Sequence, residues 1–202
     1  KRANVILIGF MGTGKSTVSS YLREKGCEII DADLISRKMT SKDSPALEEI
    51  RNAFGKKCFF DDGSLNRKAL GDLVFADKTK LSMLQQIITK KVVEEIKRRI
   101  FNLKTEGFKG IAVIDAPLLF ECGLDKITDE NWLVTADLNV RIDRVIRRDH
   151  LSREQIISRI NNQISVEEAK IRCQCILDNS GTLEVLIRQI EDNVERIKNE
   201  DQ

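Results

Sequence analysis

A chain of 202 residues with 41% hydrophobic and 33% charged side chains has the balance of a globular protein, with too many aliphatics to be disordered. Its 34 Lys and Arg against 32 Asp and Glu leave a net charge of +2, which gives no global argument for a nucleic-acid or membrane-surface partner. One histidine and one tryptophan exclude sites built on paired imidazoles and modules built on aromatic platforms, and no apolar run approaches the roughly 20 residues of a membrane span.

The first element is a short apolar run, Val5 to Ile8, which reads as a strand buried on both faces. Starting so early, it leaves no room for a signal peptide, and the absence of Met at position 1 suggests a trimmed start. Gly9 to Gly14 follows, then a helical stretch from Lys15 to Lys25 that Gly26 ends. Glu28 to Ile30 is a weaker strand that stops at Asp31-Ala32-Asp33. The next 70 or so residues read as almost wholly helical, too long for a simple crossover. Ser44 is the expected N-cap of one helix, with Pro45 in its first turn and Gly55 closing it. Phe59 to Ser64 is a turn, and helices follow near Asn66 to Ala76 and from about Lys78 to Leu103. Residues 38–108 are therefore read as a helical insertion within a single domain spanning 1–202. Three more strands are expected at Ile111 to Ile114, Trp132 to Thr135 and Cys175 to Leu177. Ser152-x-x-Gln155 and Ser165-x-x-Glu168 are capping-box patterns, and Thr182 to Lys198 is a closing amphipathic helix. Strands alternating with helices imply a parallel sheet, here five-stranded.

Gly9-Phe10-Met11-Gly12-Thr13-Gly14-Lys15-Ser16 matches the phosphate-loop pattern G-x-x-x-x-G-K-[ST], and it lies between a buried strand and a helix, as that reading requires. Glycines let the backbone wrap phosphates with inward N–H groups, and the helix adds its positive end. Gly12, Thr13, Gly14, Lys15, Ser16 and Thr17 are the expected nucleotide contacts. Lys15 would reach the β- and γ-phosphates and Ser16 would ligate Mg²⁺. Asp115, at the end of the third strand, is where a second Mg²⁺ partner would sit, mostly through water.

Asp31 and Asp33 also fall at a strand end, where ligands gather in open parallel sheets. Two residues apart on an extended segment, they would share a face, one orienting and the other accepting a proton from an acceptor hydroxyl. Either could instead cap the next helix. The weights favour base for Asp33 and cap for Asp31. Arg141, Arg144 and Arg148 share one face of a predicted helix, near Arg147 and Arg153, and could neutralise a transferring phosphoryl group. For Arg144 and Arg147 a solvated basic face is the preferred reading. His150 reads as an exposed turn residue, and Lys90, Lys91, Lys97, Arg98 and Arg99 as a solvated helix face. Cys27, Cys58, Cys122, Cys173 and Cys175 are odd in number and scattered, which fits reduced thiols of a cytoplasmic protein.

Taken together, these residues resemble the dephospho-CoA kinase family over nearly the whole chain. The phosphate loop is shared by many enzymes. Asp31-Ala32-Asp33 with Arg37, Asp62-Gly63-Ser64-Leu65-Asn66-Arg67, Asp115-Ala116-Pro117-Leu118-Leu119-Phe120-Glu121, Arg148-Asp149 and Asp178-Asn179-Ser180-Gly181 are together far more specific. The resemblance implies a P-loop kinase with a helical CoA-binding part and a small lid within about residues 117–170. It implies transfer of the ATP γ-phosphoryl group to the ribose 3′-hydroxyl of dephospho-CoA, with Mg²⁺, in the cytoplasm, by a monomer or weak oligomer without nucleic-acid or membrane partners. Asp33 matches the family's base and Arg148 a lid arginine. Asp31, Arg37, Leu118 and Leu119 fall in acceptor-lining stretches, and Asn179 and Gly181 match a segment beside the adenine.

The chain departs from the family's usual pattern at Ile8 and Phe10, where Thr and a second Gly are customary, at Thr89-Lys90 in place of His-Pro, and at Gln174-Cys175 in place of Asp-Tyr. Its loop reads more like that of shikimate kinase, the nearest enzyme alternative. Against that alternative, no Gly-Gly-Gly follows the third strand and the inserted helices are too long. A nucleotide-dependent switch protein, the alternative from another class, needs an Asn-Lys-x-Asp for guanine that the chain lacks.

Overall fold

The structure, a computed structural model, describes residues 3–116 and 123–200. β1 (Ala3–Gly9) is buried almost throughout, because Val5 to Ile8 are apolar on both faces. It pairs in parallel with β3 (Ile111–Asp115) on one side and β4 (Glu130–Thr135) on the other. With β2 (Glu28–Asp31) and β5 (Cys175–Asp178) the described strands form one sheet in the order β2-β3-β1-β4-β5. This is the expected five-stranded parallel α/β arrangement; β1, β2, β3 and β5 run one residue beyond their predicted ends, and β1 and β4 start two residues early.

The chain divides into two compact units, residues 1–30 with 103–202, and residues 31–102. In the first, α1 (Lys15–Glu24) and α9 (Leu183–Asn199) pack on the sheet. Val18 and Leu22 of α1 and Leu186 and Ile190 of α9 meet Leu7, Val113, Trp132, Val134 and Leu177 in one buried cluster. Burying each such side chain contributes about 1.5–3 kcal/mol. A second cluster joins Ile142 and Val145 of α6 (Leu138–Asp149) to Ile156 of α7 (Arg153–Asn161), with Met11 packed against it. Met11 belongs to the loop after β1, so the apolar face of α6 is tied directly to that loop.

Ser152 and Gln155 form the predicted capping box at the start of α7. At α8 (Val166–Ile171) only half of the pattern is realised: the Ser165 hydroxyl accepts from the Glu168 N–H. Thr182 caps α9 in the same way.

The second unit holds α2 (Ala32–Lys38), α3 (Leu47–Phe54), α4 (Arg67–Phe75) and most of α5 (Lys78–Thr105). Asn66 caps α4 by accepting the Ala69 N–H at 3.1 Å. Asp62 closes the preceding turn by accepting both the N–H and the hydroxyl of Ser64. Lys91 of α5 reaches Glu49 of α3 at 3.1 Å, and Glu95 is held by Arg98 and Arg99, which keep its carboxyl down at about 2. Three of the five basic residues read as a solvated face are thus ion-paired within this unit. Ser44 does not cap α3 as expected. Its hydroxyl accepts the Ala46 N–H at 3.1 Å, making a local turn, and the helix starts only at Leu47.

Candidate active site

The loop between β1 and α1 carries the phosphate-loop motif, and the surrounding chain holds it open. Gly12 and Gly14 are left-handed, at φ 78° and 80°. Thr13 is buried, and its hydroxyl donates to the Phe10 carbonyl at 2.8 Å, fixing the bend. Gly14 is the N-cap of α1, so no side chain occupies the helix's first N–H groups, and its first turn carries no acid. That leaves both the amides and the positive helix end for an anion. Lys15 Nζ lies 2.7 Å from the Asp115 carboxylate and donates to the Ala116 carbonyl at 2.9 Å. Ser16 and Thr17 are exposed on the first turn of α1.

Three side chains from later in the chain grip the carbonyl side of this loop. Arg141 Nε donates to the Met11 carbonyl at 2.9 Å. Arg144 donates to the Gly12 carbonyl at 3.2 Å and the Asn179 carbonyl at 2.7 Å. Asn179 Nδ2 donates to the Thr13 carbonyl at 2.9 Å. A trans peptide points its C=O and N–H in opposite directions. Each grip on a carbonyl therefore turns the next residue's N–H away from the gripping side chain. Asn179 is placed by the end of β5: its N–H bonds the Thr135 carbonyl of β4, and Asp178 closes the following turn on Ser180.

The close fit explains two glycines. A Cβ at Gly12 would stand 2.5 Å from the Arg141 carbonyl oxygen, and one at Gly14 would collide with the Asn179 amide. Gly12→Ala is expected to lower the melting temperature by about 4 °C or more, at 2–4 °C per kcal/mol for a chain of this size. A thermal melt checks this. An unchanged midpoint would mean that the loop relaxes freely.

The solvated reading of Arg144 is corrected: packing of α6 against the loop after β1 brings its guanidinium onto that loop. Arg147 is exposed, as expected. Arg148 is exposed too, in a two-bond pair with its neighbour Asp149 at 2.9 and 3.0 Å, which raises the arginine's pKa and lowers the carboxyl's. His150 ends α6 in a left-handed turn at φ 54°. Asn179, expected in a segment beside the adenine, has its side-chain amide bonded to the loop backbone. Gly181 is exposed with open space around it.

Asp31 caps α2, accepting the Leu34 N–H at 3.0 Å. Asp33 lies in the first turn of that helix, not on an extended segment, so the expected shared face is corrected. The helix starts early because the Asp31 side chain satisfies one of its free N–H groups. Asp33 is exposed, and its carboxylate has no hydrogen-bond partner among the described residues. Arg37 is exposed in the last turn of α2. Leu118 and Leu119 lie outside the described residues.

Ser16 and Asp115 offer a hydroxyl and a carboxylate, the hard oxygen donors that Mg²⁺ takes alongside several waters. The Asp115 carboxylate is drawn to the loop by its contact with Lys15, the residue before Ser16. The pair fits such an ion. Among the described residues no cluster of three or more His, Cys, Asp or Glu stands ready to hold a metal alone, so Mg²⁺ would arrive with phosphates.

A phosphate loop between the central strand and its helix, on a five-stranded parallel sheet, defines a P-loop nucleotide-binding fold. Two solved structures share the fold across the chain. Dephospho-CoA kinase from Campylobacter jejuni superimposes with a TM-score of 0.73 at 22% identity, covering 100% of both chains. Shikimate kinase from Acinetobacter baumannii, in complex with shikimate, gives 0.56 at 14%, covering 100% of this chain and 97% of that one. At these identities the likeness shows the fold alone. The sequence is more specific. The family model for dephospho-CoA kinase matches residues 3–184. A dephospho-CoA kinase of Fusobacterium nucleatum is 38% identical over 191 residues, which is 93% of this chain and 96% of that protein. The chain belongs to the dephospho-CoA kinase family.

Proposed function

We infer that the protein transfers the γ-phosphoryl group of ATP to the ribose 3′-hydroxyl of dephospho-CoA, giving CoA and ADP. The observation that carries this reading is the family match over residues 3–184, which includes the gripped phosphate loop. Gly12, Gly14, Lys15 and Ser16 offer the phosphates their backbone N–H groups, while those of Thr13 and Thr17 close the loop on the Phe10 and Gly14 carbonyls, and Lys15 supplies positive charge where it builds up on the transferring group. Ser16 and Asp115 hold Mg²⁺, partly through water. When bound, that ion neutralises charge on the β- and γ-phosphates. Asp33 orients the acceptor hydroxyl and takes its proton, a role supported by an exposed carboxylate that no neighbour occupies. Arg148, exposed and drawn only to Asp149, is the lid arginine that meets the γ-phosphoryl group.

The helical stretch 38–108 binds the CoA portion, with Asp31, Arg37, Leu118 and Leu119 lining the acceptor, while Asn179 and Gly181 sit on the adenine side. Lid elements fall within about 117–170. The protein acts in the cytoplasm as a monomer or weak oligomer. Burial pushes the Cys173 and Cys175 thiols up to about 11 and about 12, which keeps them protonated. No helix among the described residues is long and apolar enough to cross a membrane.

ADP release with ATP and Mg²⁺, compared across dephospho-CoA, shikimate, AMP and no acceptor, tests the reading. Dephospho-CoA is expected to stimulate release far above the others and to emerge with a new 3′-phosphate. Turnover of shikimate with dephospho-CoA inert would overturn it.

A further inference from the structure

Arg141 is 4% exposed and is the most deeply buried charged residue among those described. No carboxylate among the described residues pairs with it. Its Nη2 has no hydrogen-bond partner, and burial alone pulls its pKa below the usual arginine range. A buried guanidinium without an anion destabilises a fold unless dipoles compensate it. The compensation here comes from the phosphate loop: the Met11 carbonyl at 2.9 Å and the face of the Phe10 ring, 5.4 Å from the guanidinium carbon to the ring centre. The ring and the buried cation thus form a pair that joins the loop to α6. The backbone of Arg141 also closes on Gly12, leaving no room there for a side chain.

These contacts lie on one side of a peptide whose other side is the Gly12 N–H. Drawing the Met11 carbonyl toward a cation polarises that peptide and strengthens the N–H as a donor. It also sets the direction in which the N–H points.

We propose that Arg141 is a positioning residue for nucleotide phosphates, holding the loop from behind as a cation whose missing counter-charge is the polyphosphate docked on the loop's opposite face. The proposal rests on the reading that this loop binds ATP. It predicts opposite signs in two measurements: removing the charge weakens phosphate binding but does not weaken the nucleotide-free fold. A merely structural residue would move both the same way.

The experiment measures AMP, ADP and ATP binding by calorimetry, together with nucleotide-free melting, for the unaltered protein and for Arg141→Met, Arg141→Gln and Arg141→Lys. For Met and Gln, ATP affinity is expected to fall about tenfold or more, the loss typical of a charged hydrogen-bond partner. ADP affinity falls less and AMP affinity least, while the melting midpoint stays level or rises. Arg141→Lys keeps the charge and recovers most of the preference for ATP over AMP. A lowered midpoint, or an equal loss for all three nucleotides, overturns the proposal, as does an ATP-over-AMP preference that is the same in Lys and Gln. Failure of the unaltered protein to bind ATP would instead overturn the nucleotide reading itself.

Discussion

Asp33→Asn is expected to lower kcat by about 10²- to 10⁴-fold, the range for a positioned acid–base group, with ATP affinity nearly unchanged. Asparagine keeps the size of aspartate and one hydrogen-bonding oxygen but removes almost all basicity. The Asp33 side chain caps nothing and bonds to no described residue, so the replacement leaves α2 intact. Phosphate binding rests on the loop amides and Lys15, which this change does not touch. Asp31 makes the useful contrast. Its carboxylate caps α2 through the Leu34 N–H, a bond that the amide oxygen of asparagine can also accept. Asp31→Asn should therefore be mild, while Asp31→Ala should cost roughly 0.5–2 kcal/mol of stability. Turnover and ATP binding measured side by side decide the assignment. If Asp31→Asn is the more damaging to kcat, the base is Asp31. If both variants bind ATP poorly yet turn over normally at saturation, these carboxylates serve the metal or the fold.

Lys15→Ala is expected to reduce turnover by about 10²-fold or more, as losing one preorganised charge at a transition state usually does. The ammonium is fixed at the end of β3 by the Asp115 carboxylate and the Ala116 carbonyl. Its removal takes away the cation and also leaves Asp115, with a side chain only 15% exposed, without the ammonium that pairs with it. The two effects act in the same direction. Lys15→Arg should rescue little, since a broad planar guanidinium does not fill the place of a compact point charge. Rates under saturating ATP, with a melt to establish that each variant is folded, give the answer. Near-normal turnover in folded Lys15→Ala would mean that this loop is not the catalytic phosphate site.

What the sequence revealed most readily was local. The phosphate loop is a matter of backbone geometry and glycine positions within eight residues, so its pattern is legible without tertiary knowledge. The strands were legible because burial on both faces forces continuous apolar runs. Helix starts were less so, because Ser and Asp serve turns as well as caps: Ser44 closes a turn, and Asp31 begins α2 earlier than the Asp-x-Asp spacing suggested. The grips of Arg144 and Asn179 on the loop were missed, since they arise only when α6 and the residue after β5 come against the loop that follows β1. A basic residue every third or fourth position looks the same whether the helix face meets water or a row of carbonyls. The one available clue was position: α6 follows the strand that neighbours β1 in the sheet.

β1 occupies the middle of the sheet although it comes first in the chain, and its partners begin at Ile111 and Glu130. On a ribosome adding about 5–20 residues per second, this apolar strand waits on the order of 5–20 s before either edge can be paired. The loop anchors come later still, ending with Asn179. A nascent chain therefore displays a complete phosphate-loop sequence long before it owns a nucleotide site. Incomplete translation products that stop short of that asparagine carry the motif without the last of the three side chains that hold it.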